Sequence, residues 1–349
     1  MIDINHRMGR LFMKNKTAVI IVFAFLFSLL PVYGQRRPQK VIIKLASMVP
    51  ENTDWGQKVN KLAAEWSRVT NGEVELRVYA NGTQGSEEEV LRKLNMNTIQ
   101  AGIFTSFGLN KIAPEILTLS CPFLIRNDAE LDEVLRNLRG DFEAKINAKN
   151  YFALTLVKGG WVKFFSRNPV YVPADLRRQK VGSVPTEPEM AQVFRQMGYQ
   201  VVLVDSNRTL IALNSGAIDA IYMSPIFAAG AQYFGVAKNM GTINIAPFMG
   251  GVVMNKQAWE SIPAQHRNEL IRVTKRVGIE LEESLLKLEA ETIRQMKNNG
   301  LRENQISPQQ QQEWYDDVAK AIPGLLGNTF DRVTYNKIDG ILKAYRSRQ

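Results

Sequence analysis

Apolar and polar positions alternate along the first part of the chain with two different periods. Short apolar runs, or runs in which apolar and polar residues strictly alternate, predict strands at residues 41–46, 74–78 and 99–104. Apolar residues three and four positions apart predict a helix over residues 55–69. Ser86 and Glu89 form a capping box that predicts a second helix through Leu94. The order strand, helix, strand, helix, strand indicates a mostly parallel sheet with helices on its faces.

The middle of the chain repeats this alternation. Strands are predicted at residues 152–157, 161–165, 201–204 and 218–222, and a helix at residues 188–197. Ser206 is placed as the cap of a further helix that runs to Asn214 and stops at Gly216. The two parts therefore predict two α/β lobes.

The C-terminal third has a helical pattern of unusual length. Apolar residues with a period near 3.6 run from Arg267 to Lys297, and Gly300 ends the pattern. A single helix of this length suits a connection across two lobes, and a kinked pair of helices is the alternative. The polar residues 309–312 are interpreted as a short segment that leads into one more helix.

The N-terminus has the pattern of an export signal. Four basic residues within the first 16 precede residues 17–33, which are almost wholly apolar, and Gly34 follows. This pattern predicts a signal peptide at residues 1–34 that is cleaved before Gln35, and hence a periplasmic protein. A retained membrane anchor is the alternative, since the apolar run approaches the length that spans a bilayer.

Composition excludes several classes of function. Among 349 residues there are one cysteine, Cys121, and two histidines, His6 and His266. An intramolecular disulfide, a Cys/His zinc cluster and a two-histidine metalloprotease motif are therefore excluded. An enzyme would need His266 or a pair of acids inside a cleft. The sequence contains neither the Walker motif nor the GxGxxG motif of nucleotide-binding proteins. We expect no catalysis, no cofactor and no metal.

The net charge of +10 does not indicate a nucleic-acid partner. Basic residues are scattered among acidic ones rather than clustered, which is typical of a solvated surface. Glu87, Glu88 and Glu89 stand at a predicted helix start, where they favour the helix macrodipole, and they are interpreted as structural.

Several glycines and large apolar residues lie where segments end. Gly159 with Gly160 and Gly250 with Gly251 are predicted hinges. Large side chains near these ends are candidate walls of an apolar pocket, because ligands in open α/β sheets bind beyond the ends of strands. Plain core packing is the alternative for each of them. The candidates are Trp161, Phe164, Phe165, Tyr222, Met223, Phe227, Phe248 and Met249.

Four segments resemble one family of transport proteins. They are residues 71–81 with Gly85-Ser86-Glu87, residues 114–123, residues 168–181 with Asn168-Pro169 and Pro173-Ala174-Asp175-Leu176, and residues 212–220. In their order and spacing, over about residues 40–325, they resemble the solute receptors of tripartite ATP-independent periplasmic (TRAP) transporters, the DctP type.

The resemblance implies a periplasmic-binding-protein-like fold with a long helix across both lobes. We expect lobe I at residues 35–158 plus about 247–285, lobe II at residues 159–246 plus about 286–325, and a C-terminal tail at 326–349. It also implies that the lobes close on a small ligand, usually an organic acid, which is delivered to TRAP-type membrane permease subunits. A periplasmic tetratricopeptide-repeat protein is a further partner in some systems.

The chain departs from the family pattern at its polar anchors. The arginine that usually pairs with the ligand carboxylate is replaced by Gly182, and a second cationic position is Val162, beside Lys163. Residues 221–225 replace a polar segment, so Tyr222, Met223 and Ser224 stand there. A buried carboxylate without a partner is costly. We therefore predict an apolar or amphipathic ligand, although Lys163, Arg167 or Arg178 is an alternative anchor.

The predicted ligand-binding residues are Trp161, Lys163, Phe165, Gly182, Tyr222, Met223, Ser224, Phe248 and Met249. A different class of function stays open beside this one. In it the cleft binds no ligand, and the protein is a scaffold that docks a periplasmic repeat protein.

Overall fold

One mixed β-sheet of ten strands runs through residues 40–349, the part of the chain that this computed structural model describes. The predicted signal peptide, residues 1–34, lies outside the described residues. The strands are β1 (Val41–Ala46), β2 (Val74–Tyr79), β3 (Ala101–Thr105), β4 (Tyr151–Ser166), β5 (Lys180–Ser183), β6 (Gln200–Leu203), β7 (Ala220–Met223), β8 (Asn239–Gly241), β9 (Ala246–Asn255) and β10 (Arg302–Asn304).

Helices cover both faces of this sheet. Within residues 40–349 the α-helices are α1 (Asp54–Val69), α2 (Glu87–Asn95), α3 (Ser106–Asn110), α4 (Asp128–Asn147), α5 (Pro173–Arg177), α6 (Pro188–Gln196), α7 (Thr209–Ser215), α8 (Pro225–Gly230), α9 (Lys256–Ser261), α10 (Ala264–Asn298), α11 (Pro308–Leu325) and α12 (Arg332–Arg346). Short 3-10 helices lie at Pro114–Ser120, Ser206–Arg208 and Tyr233–Gly235.

Two long strands, β4 and β9, join the two halves of the sheet. The strand order is β2-β1-β3-β9-β4-β7-β5-β6, and β8 pairs with β4 and β10. β9 lies antiparallel between β3 and β4, whereas β1, β2 and β3 are parallel to one another, as are β5, β6 and β7. Val162 of β4 still pairs with β9, and Lys163, the next residue, pairs with β7. The mixed α/β fold class is confirmed.

The prediction of separate strands at residues 152–157 and 161–165 is wrong, because β4 is continuous. Gly160 has a φ of +97°, and the pairing of β4 with β9 shifts register between Lys158 and Trp161. This is a bulge inside a strand rather than a strand end, and only a glycine adopts such a backbone conformation readily.

The long helix α10 is a single unbroken helix of 35 residues, so the kinked-pair alternative is wrong. It packs on β4, α1 and α8. Gly278 permits the approach to β4, because a Cβ added there would lie 3.1 Å from Val157 Cγ1. The helix thus lies along the strand that connects the halves of the sheet.

Three other segments differ from expectation. Ser206 begins a 3-10 helix, and α7 begins at Thr209, so Ser206 does not cap it. The polar residues 309–312 lie inside the first turns of α11. Residues 332–346, within the predicted tail, form α12, which packs on α4.

Candidate functional site

Trp161 lies where β4 crosses from one half of the sheet to the other, a region that we call the strand crossing (residues 158–163 of β4 and 246–249 of β9). The indole is buried, and its Nε1 donates to Asp128 Oδ1 over 3.1 Å. The Trp161 backbone N–H donates a long bond of 3.4 Å to Glu289 Oε2 on α10. Trp161 is therefore positioned by acids from two helices.

Lys163 is buried, and its ammonium group donates hydrogen bonds to two neutral oxygens. Its Nζ lies 2.9 Å from both Thr242 O and Asn244 Oδ1, to which it donates. Burial lowers the pKa of Lys163, although the charges of Glu289 and Glu303 oppose this shift. These contacts tie the ammonium to the loop before β9.

Arg167 and Arg178, the other two alternative anchors for a ligand carboxylate, also bind groups of the protein itself. The Arg167 guanidinium donates to the carbonyls of Leu213 and Asn214, at the end of α7. Arg178 forms an exposed ion pair with Asp175.

Gly182 lies in β5 between β6 and β7. A Cβ added there would stand 2.6 Å from Ile218 Cδ1, so an apolar group occupies the space beside the backbone. A longer side chain at this position would have to displace Ile218 first.

Tyr222 and Met223 end β7 and Ser224 follows it, and the three residues have different environments. The Tyr222 ring lies 5.9 Å from the ring of Phe164 and 5.2 Å from that of Phe194, between centroids. Met223 is half-buried against the core that contains Phe165. Ser224 is buried and caps α8, because its hydroxyl accepts the Phe227 N–H.

The last three predicted wall residues divide between core and surface. Phe165 is fully buried in the core beside Met240, with which it pairs. Met249 is buried, and its carbonyl accepts from Ser106 Oγ on α3 at 3.3 Å. Phe248 is half-buried and makes an edge-on contact of 5.8 Å with Phe227. The structure therefore brings Trp161, Lys163, Phe248 and Met249 together at the strand crossing and places Phe165 in the core.

Sequence reasoning missed an acid cluster of Glu87, Glu187 and Glu189. Glu87, interpreted as a helix-start acid, instead turns to α3, where its carboxylate accepts the Thr105 N–H at 2.6 Å and hydroxyl at 2.9 Å. Glu189 Oε1 accepts from Asn110 Nδ2 at 2.9 Å, at the other end of the same short helix. No local pattern in the sequence indicates this arrangement, because the acids and their partners lie on separate elements of the chain.

The acid cluster is electrostatically costly. Burial, and then the charges of Glu87 and Glu189, raise the pKa of Glu187 to about 7. Burial also raises the pKa of Glu87, against the opposing hydrogen bonds from Thr105 and Gly108.

His266 lies at the start of α10 and contacts an acid. Its Nε2 lies 2.8 Å from Glu73 Oε2. Within residues 40–349, no three His, Cys, Asp or Glu side chains are grouped so as to hold a metal ion. In the same range, no helix combines the length and apolar character needed to cross a membrane.

Comparisons with known proteins identify the class of protein to which this mixed α/β fold belongs. The sequence profile of the family described as bacterial extracellular solute-binding protein, family 7 (DctP), matches residues 45–324. The chain belongs to this family. It is thus a TRAP-type solute receptor rather than an enzyme, as the sequence predicted.

Individual relatives are distant but extend over most of the chain. The C4-dicarboxylate-binding periplasmic protein DctP of Vibrio cholerae is 23% identical over 288 residues, 80% of this chain and 84% of its own length. A TRAP periplasmic solute-binding protein from Ochrobactrum anthropi, with its C-terminus bound in the ligand-binding pocket, has a TM-score of 0.80 at 16% identity. That likeness covers 89% of this chain and 97% of that one.

A second solved structure carries a ligand. The TRAP periplasmic solute-binding protein from Sulfurospirillum deleyianum with bound succinate has a TM-score of 0.75 and 18% identity, covering 86% of this chain and 98% of that one. At these identities the two solved structures show the fold alone.

Proposed function

We propose that this receptor captures an apolar or amphipathic ligand between its lobes and delivers it to a TRAP-type membrane permease. The observation that carries the proposal is Gly182, where Ile218 Cδ1 occupies the space that a larger side chain would need. A guanidinium is the usual partner of a buried carboxylate because its planar fork matches the two oxygens. This position supplies no such partner.

The cations near the site support the same conclusion. Arg167 and Arg178 are bound to carbonyls and to Asp175, respectively. Lys163 already donates to Thr242 O and Asn244 Oδ1. These bonds use two of the three N–H donors of the ammonium, so at most one donor remains for a ligand carboxylate. The dicarboxylate and succinate named for the relatives are therefore not proposed as the ligand here.

The lobes are proposed to divide where β4 changes its partner, between Val162 and Lys163. The predicted boundary between residues 158 and 159 lies on the N-terminal side of this point and stays a prediction, as do the hinges at Gly159 and Gly160. Closure around a ligand is tested by small-angle scattering, in which saturating ligand should reduce the radius of gyration. An unchanged radius would contradict hinge closure.

The ligand class is tested by denaturing the purified protein and analysing the released small molecule by mass spectrometry. We expect a compound without a carboxylate. A dicarboxylate or a sugar acid would contradict the proposal. Delivery is tested with vesicles that contain the permease, where uptake of that compound should require added receptor.

The pocket assignment is tested with Gly182→Arg and the control Gly182→Ala. Both variants displace Ile218, but only arginine adds a long charged chain. We expect Gly182→Arg to weaken ligand binding much more than Gly182→Ala does. Equal affinities of the two variants would show that Gly182 lies outside the ligand site. The tetratricopeptide-repeat partner stays a prediction.

A further inference from the structure

Glu189 links the two halves of the sheet through side chains that lie outside β4 and β9. Its Oε1 accepts from Asn110 Nδ2 at 2.9 Å and lies 3.4 Å from Lys111 Nζ. Asn110 ends α3, which packs on β3 and β9, whereas Glu189 lies in the first turn of α6, which packs on β5 and β6. These side chains therefore connect elements that belong to different proposed lobes.

Few other side chains make such a connection. Among the described residues, the remaining side-chain hydrogen bonds between residues 40–158 and residues 159–246 join Trp161 to Asp128 and Asn244 to Arg126. Trp161 belongs to the strand crossing, and Asn244 lies in the loop that leads into β9. The partners of Glu189 lie on neither β4 nor β9, so a rotation about the strand crossing moves α6 relative to α3.

The position of α3 is fixed by Glu87, at the start of α2. The Glu87 carboxylate accepts the N–H and the hydroxyl of Thr105, the residue before α3, at 2.6 and 2.9 Å. Its Oε2 lies so close to Gly108 that a Cβ added there would be 2.4 Å away. Asn110 thus reaches α6 from a short helix that is bound to the N-terminal half of the sheet.

The Glu189 carboxylate depends on its partners in α3 because it is largely removed from solvent. Its side chain is 20% exposed, and its Oε2 is inaccessible and has no hydrogen-bond partner among the described residues. A carboxylate in such surroundings is costly unless it is paired. The bond from Asn110 offsets part of this cost, and it is lost once the two atoms are more than about 3.5 Å apart.

We infer that Glu189, Asn110 and Lys111 form a latch that stabilises the closed arrangement of the two lobes. This inference rests on the proposed function, because it requires lobes that open and close about the strand crossing. The apparent affinity for a ligand bound between closed lobes is proportional to the population of the closed state. The latch therefore raises the affinity for the ligand that the lobes enclose.

The test measures the separation of the lobes with a pair of nitroxide labels. Met96→Cys and Ile211→Cys place one label after α2 and one on α7, where the native side chains are 65% and 67% exposed. The native Cys121 is buried and should not react. Pulsed electron paramagnetic resonance then gives the distribution of label distances in the full chain without added ligand.

Asn110→Ala should move this distribution away from the distance that corresponds to the structure described here. The substitution leaves the Glu189 carboxylate buried without its amide donor, and opening of the lobes relieves that cost. We expect the ratio of closed to open populations to fall about tenfold, which corresponds to about 1.4 kcal/mol. Lys111→Met should act in the same direction but more weakly, because its side chain is 42% exposed.

Two controls separate the latch from a general effect of substitution. In the Glu189→Ala background, Asn110→Ala should cause no further shift, because the acceptor is absent. Asn336→Ala, which removes an exposed asparagine on α12, should leave the distribution unchanged. An equal shift by Asn110→Ala with and without Glu189 would overturn the inference.

The remaining outcomes distinguish the latch from the proposed closure. A second distance that appears only in Asn110→Ala supports the latch. If the wild type shows two distances and neither Asn110→Ala nor Lys111→Met changes their ratio, the latch is refuted while closure of the lobes stands. If the wild type and every variant show the same single distance, both the latch and the proposed closure are refuted.

Discussion

Replacing Gly160 by alanine tests whether the bulge in β4 contacts Glu289 of α10. Gly160 and Gly300 have nearly the same positive φ, +97° and +99°. An alanine at either position therefore has a similar backbone penalty, of about 1–2 kcal/mol. The surroundings differ, because an added Cβ at Gly160 would overlap Glu289 Oε2, whereas nothing lies within 4 Å of one added at Gly300.

The overlap sets the size of the expected difference. In Gly160→Ala the Glu289 carboxylate has to move, and it loses the N–H of Trp161 that it accepts at 3.4 Å. One such hydrogen bond contributes about 1 kcal/mol. We therefore expect Gly160→Ala to lower the free energy of unfolding by about 2–3 kcal/mol and Gly300→Ala by about 1–2 kcal/mol.

Urea unfolding followed by far-UV circular dichroism measures both variants. Adding Glu289→Ala to each of them should bring the two losses together, because the overlapping carboxylate is then absent. Equal destabilisation by the two single variants would refute the contact between α10 and the bulge. An excess loss at Gly160 that persists without the Glu289 carboxylate would refute it as well.

Two further predictions concern buried charges. Burial and neighbouring acids raise the pKa of Glu187 from 4.5 to about 7. Between these two pH values the folded state binds more protons than the unfolded state, so the free energy of unfolding falls as the pH rises. Glu187→Gln should stabilise the protein at pH 8, by up to about 3 kcal/mol, and leave it unchanged at pH 4; the same gain at both pH values in calorimetry would contradict this. The Glu130 carboxylate, buried against Arg346, should make Glu130→Gln destabilising by about 3–5 kcal/mol, measured by urea unfolding. Asp141→Asn, which breaks the exposed pair with Lys337 between the same two helices, should cost under about 1 kcal/mol, and similar losses in the two variants would refute the role of burial.

Local patterns predicted most of the elements in the N-terminal part of the chain. The Ser86–Glu89 capping box is present, because each residue bonds the backbone of the other as the motif requires. The alternation in residues 74–78 is a strand, since one face of β2 packs on the core while the other meets solvent. Both signals lie within a few residues of one another, so no knowledge of distant partners was needed.

Signals that depend on distant partners were harder to interpret. Gly159 and Gly160 suggested a strand end, but β9, almost 90 residues later, supplies pairing on both sides of the bulge. The role of Glu87 was equally hidden, because its partners are Thr105 and Gly108 rather than its own helix. The crowding of Glu187 by Glu87 exists only once α2 and α6 are both placed.

The position of β9 in the sheet has a consequence for how the chain is completed during synthesis. The strand lies between β3 and β4, yet it follows both of them in the sequence. Until residue 255 has emerged from the ribosome, β3 and β4 each lack a neighbour on the side where β9 will lie. Unpaired strand edges attract other chains, and pairings between distant segments form slowly. A nascent or truncated chain that ends before Ala246 should therefore need shielding from aggregation, and insertion of β9 would unite the two halves in a single step.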